Sequence, residues 1–244
     1  MLRLFVPHAA EDAPRVRIIG APLRHLHTLR LRPGERVVLF DADGAEHEVE
    51  LARVAARAAE GIIVATRRPN REPSFELVLA PALLKGDRMD LVVEKATELG
   101  VRRIAPVLSR HVVGRGARVD RWRRIAAAAA EQSGRTRVPT VDAPVELTAL
   151  VRAVWPPLRV FAWEGERAMC FDSLPRTAGA AIAVVGPEGG FAPEEVAAAR
   201  DAGFATVALA PRILRAETAA IVTAALCLHR WGDVGRLSST DQVR

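Results

Sequence analysis

From Phe75 onward, the sequence switches repeatedly between two hydrophobic periods. Apolar runs of strand length cover Phe75 to Leu84, Ile104 to Leu108, Leu158 to Trp163, Ala180 to Val185 and Thr206 to Ala210. Stretches of helical periodicity lie between them. Asp87 can cap a helix in which Met89, Val92, Val93, Ala96 and Leu99 share one face, with Gly100 at its end. Asp120 can open a second helix that ends near Gly134. Pro193 and Gly203 bracket a third, and Glu217 to Trp231 reads as the last. Strands alternating with helices in this way form a mostly parallel α/β sheet.

The first seventy residues follow another rule. Val16 to Ile19, Arg36 to Phe40, Glu46 to Val54 and Ile62 to Thr66 read as short strands, with a turn at Asp41 to Gly44. Pro22 to Leu31 reads as a short helix stopped by Pro33 and Gly34. Short strands and tight turns suggest a small barrel. Pro69 and Pro73 lie in a charged, non-periodic stretch that marks a boundary. The expected domains are 1–71 and 72–244.

Two loops follow successive strands in the second domain. One reads Gly186-Pro187-Glu188-Gly189-Gly190-Phe191. The other reads Leu209-Ala210-Pro211-Arg212-Ile213-Leu214-Arg215-Ala216-Glu217-Thr218-Ala219. Ligands of open α/β sheets bind at the carboxyl ends of strands, and glycine lets the backbone approach them closely. Neither a Gly-x-Gly-x-x-Gly dinucleotide string nor a phosphate-loop Gly-Lys-Ser/Thr is present. Alone, the first loop reads as a tight turn; paired with the second, it reads as a ligand site.

The net charge is +6, and only Lys85 and Lys95 are lysines among 35 cationic side chains. Between Arg102 and Arg137, ten arginines stand against Asp120 and Glu131, a local +8. Clustered charge of one sign is the footprint of a phosphate backbone. Cys170 and Cys227 form no metal or disulfide spacing, which fits a reducing cytosol. No metal site is expected. No signal peptide is read at the start, and no run reaches the length of a membrane span. Burial is the expectation for Trp122, Trp155, Trp163 and Trp231.

The two loops resemble those of the SPOUT class of RNA methyltransferases, and within it the ribosomal RNA small-subunit methyltransferase E family. Two further stretches carry the same resemblance: Lys85 to Arg88 running into Lys95 to Val101, and Ala130 to Pro139. Arg24 to Arg30 is similar to the family's N-terminal signature. The resemblance covers nearly the whole chain. It implies a PUA-like RNA-binding β-barrel, then a SPOUT-type α/β methyltransferase domain with a C-terminal trefoil knot. General topology rules argue against such a knot. Ala210 stands where the family usually carries Gly, so a left-handed backbone there would be strained.

The resemblance implies methylation of N3 of a uridine in 16S rRNA near the decoding centre, with S-adenosyl-L-methionine as cofactor. Trp163, Gly186, Pro187, Glu188, Gly189, Gly190, Leu209, Pro211, Arg212, Ile213 and Leu214 would form the cofactor site. A uridine N3 must lose its proton before it attacks a methyl group. Glu188 or Glu217 could accept that proton, and Arg215 or Arg212 could stabilise charge on the uracil carbonyls. Glu217 reads equally as a carboxylate stabilised by a helix dipole. His25, His27 and His111 are tempting bases, but RNA contact or exposure suits the first two better. Arg3, Arg24, His25, Arg30, Arg121, Arg123, Arg124, Arg135 and Arg137 are the expected RNA contacts. The expected partners are 16S rRNA or the small ribosomal subunit and a second copy of the chain, with no membrane. The last helix, with Ile221, Val222, Ala225, Leu226 and Leu228, is too apolar for one exposed face. Two alternatives remain open: a SPOUT enzyme acting on another RNA position, and a noncatalytic RNA-binding assembly factor.

Overall fold

The computed structural model describes residues 1–112, 116–176 and 178–236. The chain divides into two compact units, Met1–Glu72 with Ala130–Val138, and Pro73–Ala129 with Pro139–Arg244.

The first unit holds β1 (Arg3–Phe5), β2 (Arg15–Ile18), α1 (Gly20–Thr28), β3 (Arg36–Phe40), β4 (Glu46–Val54) and β5 (Ala59–Arg67). They form one sheet in the order β1-β3-β4-β5-β2, antiparallel except for the β1–β3 pair. Alternation in β4 points His47, Val49 and Leu51 inward. Val49 and Leu51 join Leu4, Ile18, Leu26, Val37 and Leu39 in the core.

Segment 130–138 belongs to this unit for a local reason. Arg135 is 5% exposed, with Nη2 2.6 Å from Glu72 Oε2. The other oxygen of Glu72 accepts the backbone N–H groups of Thr136 and Arg137 at 3.0 and 3.1 Å. The single cut between 71 and 72 therefore misses both Glu72 and this returning segment. The expectation that Arg135 contacts RNA is corrected as well, because its guanidinium is buried against a carboxylate. Arg3 is similarly committed: Nη2 lies 2.5 Å from Glu46 Oε1 and donates to the Arg135 carbonyl at 3.0 Å.

The second unit comprises β6 (Glu76–Pro81), α2 (Arg88–Leu99), β7 (Arg103–Ile104), β8 (Val107–Leu108), α3 (Val119–Ser133), β9 (Thr140–Val141), β10 (Val145–Glu146), α4 (Leu147–Arg152), β11 (Leu158–Ala162), β12 (Ala180–Val185), α5 (Pro193–Asp201), β13 (Ala205–Val207) and α6 (Ala216–Arg230). The last turn of α3 counts with the first unit. Six strands form a wholly parallel sheet in the order β13-β11-β12-β6-β7-β9. Both of its faces are covered, as parallel sheets require. Ile182 and Val184 of β12 pack with Leu147, Leu150 and Val196 from α4 and α5. On α6, Ala220, Ala224, Cys227 and Leu228 are buried, and the helix packs against β6, β12 and α2.

The expected strand Ile104–Leu108 is two strands, β7 and β8. Pro106 lies between them and has no N–H for a ladder; its carbonyl accepts from Val145. Asp120 lies inside the first turn of α3 rather than ahead of it, and Asp87 precedes α2 without a side-chain capping bond. Gly100 closes α2 at φ 107°. Trp122 and Trp231 are buried, while Trp155 and Trp163 are only partly so.

Candidate active site

The loops after β11, β12 and β13 leave the sheet at its carboxyl edge, from three neighbouring strand positions. Backbone bonds join the first to the third: Trp163 N–H donates to the Val207 carbonyl at 3.0 Å and Ala208 N–H to Met169 at 2.9 Å.

The loop after β12 is a tight turn, with Gly190 N–H donating to the Pro187 carbonyl at 3.0 Å. Gly190 has φ +68°, where an L side chain is strained. A Cβ there would also stand 2.2 Å from Glu164 Oε1. Phe191 anchors the loop against Phe161, ring centroids 4.2 Å apart. His111 holds it from outside, with Nδ1 3.1 Å from the Gly189 carbonyl and 3.2 Å from that of Gly190. Glu188 is exposed and paired with Arg88 at 2.8 Å.

The loop after β11 is built on one carboxylate. Glu166 Oε1 accepts the N–H groups of Arg167, Ala168 and Met169 at 2.9, 2.9 and 3.3 Å. Its Oε2 accepts the Thr206 hydroxyl at 2.6 Å and Arg200 Nη2 at 3.0 Å. The Thr206 hydroxyl and these backbone donors hold its carboxyl down at about 2. Trp163 packs against the core beneath this loop, and the Arg200 guanidinium lies 5.2 Å from its ring centroid.

The loop after β13 carries the unsatisfied chemistry. Ile213 is 88% exposed, although it is apolar. Pro211, Arg212 and Arg215 are exposed, and Leu209 and Leu214 partly buried. Neither arginine has an acidic partner within ion-pair distance among the described residues. Arg215 precedes α6, and its carbonyl accepts the Ala219 N–H at 2.8 Å. Glu217 follows in the first helical turn, with Oε2 buried and without a hydrogen-bond partner. The strain expected at Ala210 is absent: Arg30 alone among the described non-glycine residues has positive φ.

The expected loop residues thus lie at one sheet edge. Sequence reasoning missed Glu164, whose exposed carboxylate meets no donor among the described residues, and Glu166, the scaffold of its loop. Their position directly after an apolar strand was the available signal. Of the expected basic contacts outside the loops, Arg24, His25 and Arg30 are exposed. Arg121 is paired with Asp90 at 2.8 Å, and Arg123 lies 3.5 Å from Asp120. Arg124 bonds the Asp120 carbonyl, and the Arg137 side chain lies beside Gly44. No group of three or more His, Cys, Asp or Glu suited to a metal occurs among the described residues, and no described helix is long and apolar enough to cross a membrane.

The family model described as an RNA methyltransferase domain matches residues 70–228. The ribosomal RNA small subunit methyltransferase E of Mycobacterium bovis is 38% identical over 239 residues, covering 90% of this chain and 88% of that protein. The protein of the same name from Bacillus subtilis is 31% identical, covering 86% and 88%. The crystal structure of the Neisseria gonorrhoeae protein of that name, bound to S-adenosyl methionine, superposes with a TM-score of 0.89 at 34% identity, covering 96% of this chain and 99% of that one. The match runs through both loops and nearly all of the sequence around them, and the chain belongs to the ribosomal RNA small subunit methyltransferase E family.

Proposed function

We propose that this protein transfers a methyl group from S-adenosylmethionine to N3 of a uridine in 16S rRNA of the small ribosomal subunit. The observation that carries this reading is the gathering of three loops at one edge of a parallel sheet, in a chain 34% identical to a neighbour crystallised with that cofactor. The local chemistry fits such a ligand. Gly189 is exposed, Ile213 presents an uncovered apolar surface, and Glu164 a carboxylate without a donor among the described residues. Gly186, Pro187, Leu209, Pro211 and Leu214 would complete the holding surface, with Trp163 supporting it from below. When bound, S-adenosylmethionine supplies an electrophilic methyl group on a sulfonium.

The chain's own residues then have separable tasks. Arg215 stabilises negative charge on a uracil carbonyl oxygen, with Arg212 beside it in sequence. Glu217 receives the N3 proton; its unpartnered buried oxygen favours it over Glu188, which is already paired with Arg88. Positioning of nucleophile and methyl supplies much of the rate.

RNA is held through Arg24, His25, Arg30, Arg124 and Arg137, with Arg121 and Arg123 adding charge. In this reading the first unit is a PUA-like RNA-binding module. The segment from β13 through α6 forms a trefoil knot, and the protein works in the cytoplasm as a homodimer. The partly exposed Ile221, Val222, Ala225 and Leu226 of α6 support the dimer. A monomeric mass by light scattering in an active preparation would exclude it. The central test maps methylated nucleotides in 16S rRNA by mass spectrometry. A strain lacking the gene should lose one N3-methyluridine, and the purified protein should restore it. Retention of that mark in the deletion strain refutes the proposal.

A further inference from the structure

The loop after β12 is gripped from a segment outside the three loops. After β8 the chain reads Ser109-Arg110-His111-Val112. Arg110 N–H donates to Glu195 Oε1 at 2.9 Å, and the Arg110 guanidinium pairs with Glu194. Val112 packs against the core cluster that contains Phe191. The segment is thus tied, on either side of His111, to residues that closely follow Gly190.

His111 meets the loop itself. Its Nδ1 lies 3.1 Å from the Gly189 carbonyl oxygen and 3.2 Å from that of Gly190. A carbonyl oxygen only accepts, so Nδ1 carries the hydrogen and donates to both. The approach is close: a Cβ on Gly189 would stand 2.9 Å from the His111 Cβ. Each carbonyl held in this way also sets the N–H across its peptide bond, because the two point in opposite directions in a trans plane. The first is the Gly190 N–H, which donates to the Pro187 carbonyl at 3.0 Å. The second is the Phe191 N–H, which finds no acceptor among the described residues. Phe191 itself is buried, with its ring against Phe161. Buried backbone donors are nearly always paired, so an open one in a ligand loop is a donor kept for the ligand.

We infer that His111 is a positioning residue for S-adenosylmethionine: Nδ1 holds the two glycine carbonyls and so keeps the Phe191 N–H set as a donor to the cofactor. His111 acts through the loop rather than by touching the cofactor. This rests on the placing of the cofactor against the loop after β12 in the proposed function. The other ring nitrogen takes no part, since Nε2 has no partner among the described residues.

Two amide side chains separate the two nitrogens. The amide nitrogen of Asn can take the place of Nδ1, whereas that of Gln reaches the place of Nε2. Calorimetric affinity for S-adenosylmethionine is measured on the full chain for the wild type, His111→Ala, His111→Asn and His111→Gln, well below each melting temperature. Ala and Gln should bind roughly tenfold more weakly, the scale of one lost hydrogen bond, and Asn should recover most of that loss. A bond that merely stabilised the fold would lower the melting temperature and leave the affinity of the folded protein at the wild-type value. Wild-type affinity in folded His111→Ala or His111→Gln therefore overturns the positioning role. Equal losses in His111→Asn and His111→Gln overturn the assignment to Nδ1, and this comparison decides even where the Ala variant does not fold. These affinities stand whether or not a uridine is methylated; a wild type that binds S-adenosylmethionine yet methylates no 16S rRNA would defeat the proposed reaction alone.

Discussion

Replacing Glu166 with Gln should loosen the loop after β11, and the size of the effect can be worked out beforehand. The carboxylate accepts five hydrogen bonds, and its side chain is 9% exposed. Its folded pKa of about 2 lies below the ordinary 4.5. A depressed carboxylate pKa stabilises the fold above pH 4.5, and that contribution is lost as pH falls toward 2. At about 1.4 kcal/mol per pH unit, the shift amounts to roughly 3 kcal/mol at neutral pH, falling to about 1.4 kcal/mol at pH 3. Gln keeps an oxygen for the backbone donors but turns an amide toward Arg200, where two donors face each other. The assay is urea unfolding of wild type and Glu166→Gln at pH 7, 5, 4 and 3. Tryptophan fluorescence is a suitable probe because all four tryptophans lie in the second unit. The variant should be less stable by roughly 3 kcal/mol at pH 7, with the gap narrowing on acidification. A gap below about 1 kcal/mol at pH 7, or one that stays constant to pH 3, would refute the linkage argument.

Gly190→Ala should cost about 1–3 kcal/mol, because φ is +68° and the new Cβ meets Glu164. Adding Glu164→Ala should recover the steric part only, so full recovery in denaturation would show the backbone is not strained. Arg215→Ala should lower turnover by roughly 10²-fold while S-adenosylmethionine binding by calorimetry holds. Lys should rescue that loss only in part, and loss of cofactor binding would make Arg215 structural. Arg124→Glu should weaken RNA binding and flatten its salt dependence, read as the slope of log affinity against log salt. Arg121→Glu should in addition lower the melting temperature, because Asp90 is largely buried and would lose its partner; an unchanged melting temperature would count against that pairing.

The sequence carried the alternation of the second unit because its strands are buried on both faces. Ala180 to Val185 could hardly be anything else. Strand ends were harder. Leu209 and Ala210 continue the apolar run of β13 without joining its ladder, and Pro106 splits what periodicity alone joins. The three-residue β1 and the two-residue strands β9 and β10 are too short for any period to register. At the site, the loops were legible through glycine, proline and charge. Glu164 and Glu166 were not, since an isolated acidic residue looks the same whether it is solvated or holds a loop together. The arginine cluster showed the opposite limit. Composition counts charge, but only geometry shows that Arg135 spends its charge on Glu72.

The strand order has a consequence in time. β6 is the first strand of its sheet to be made, and its neighbour β12 arrives about a hundred residues later, entering between β6 and β11. Until then β6 has one open, apolar edge. The central pairing therefore closes a long stretch of chain, and such closures slow folding while leaving an edge exposed to other chains. During synthesis the sheet cannot be sealed before Val185 has left the ribosome. A member of a ribosomal RNA methyltransferase family thus spends much of its own birth as an unfinished sheet.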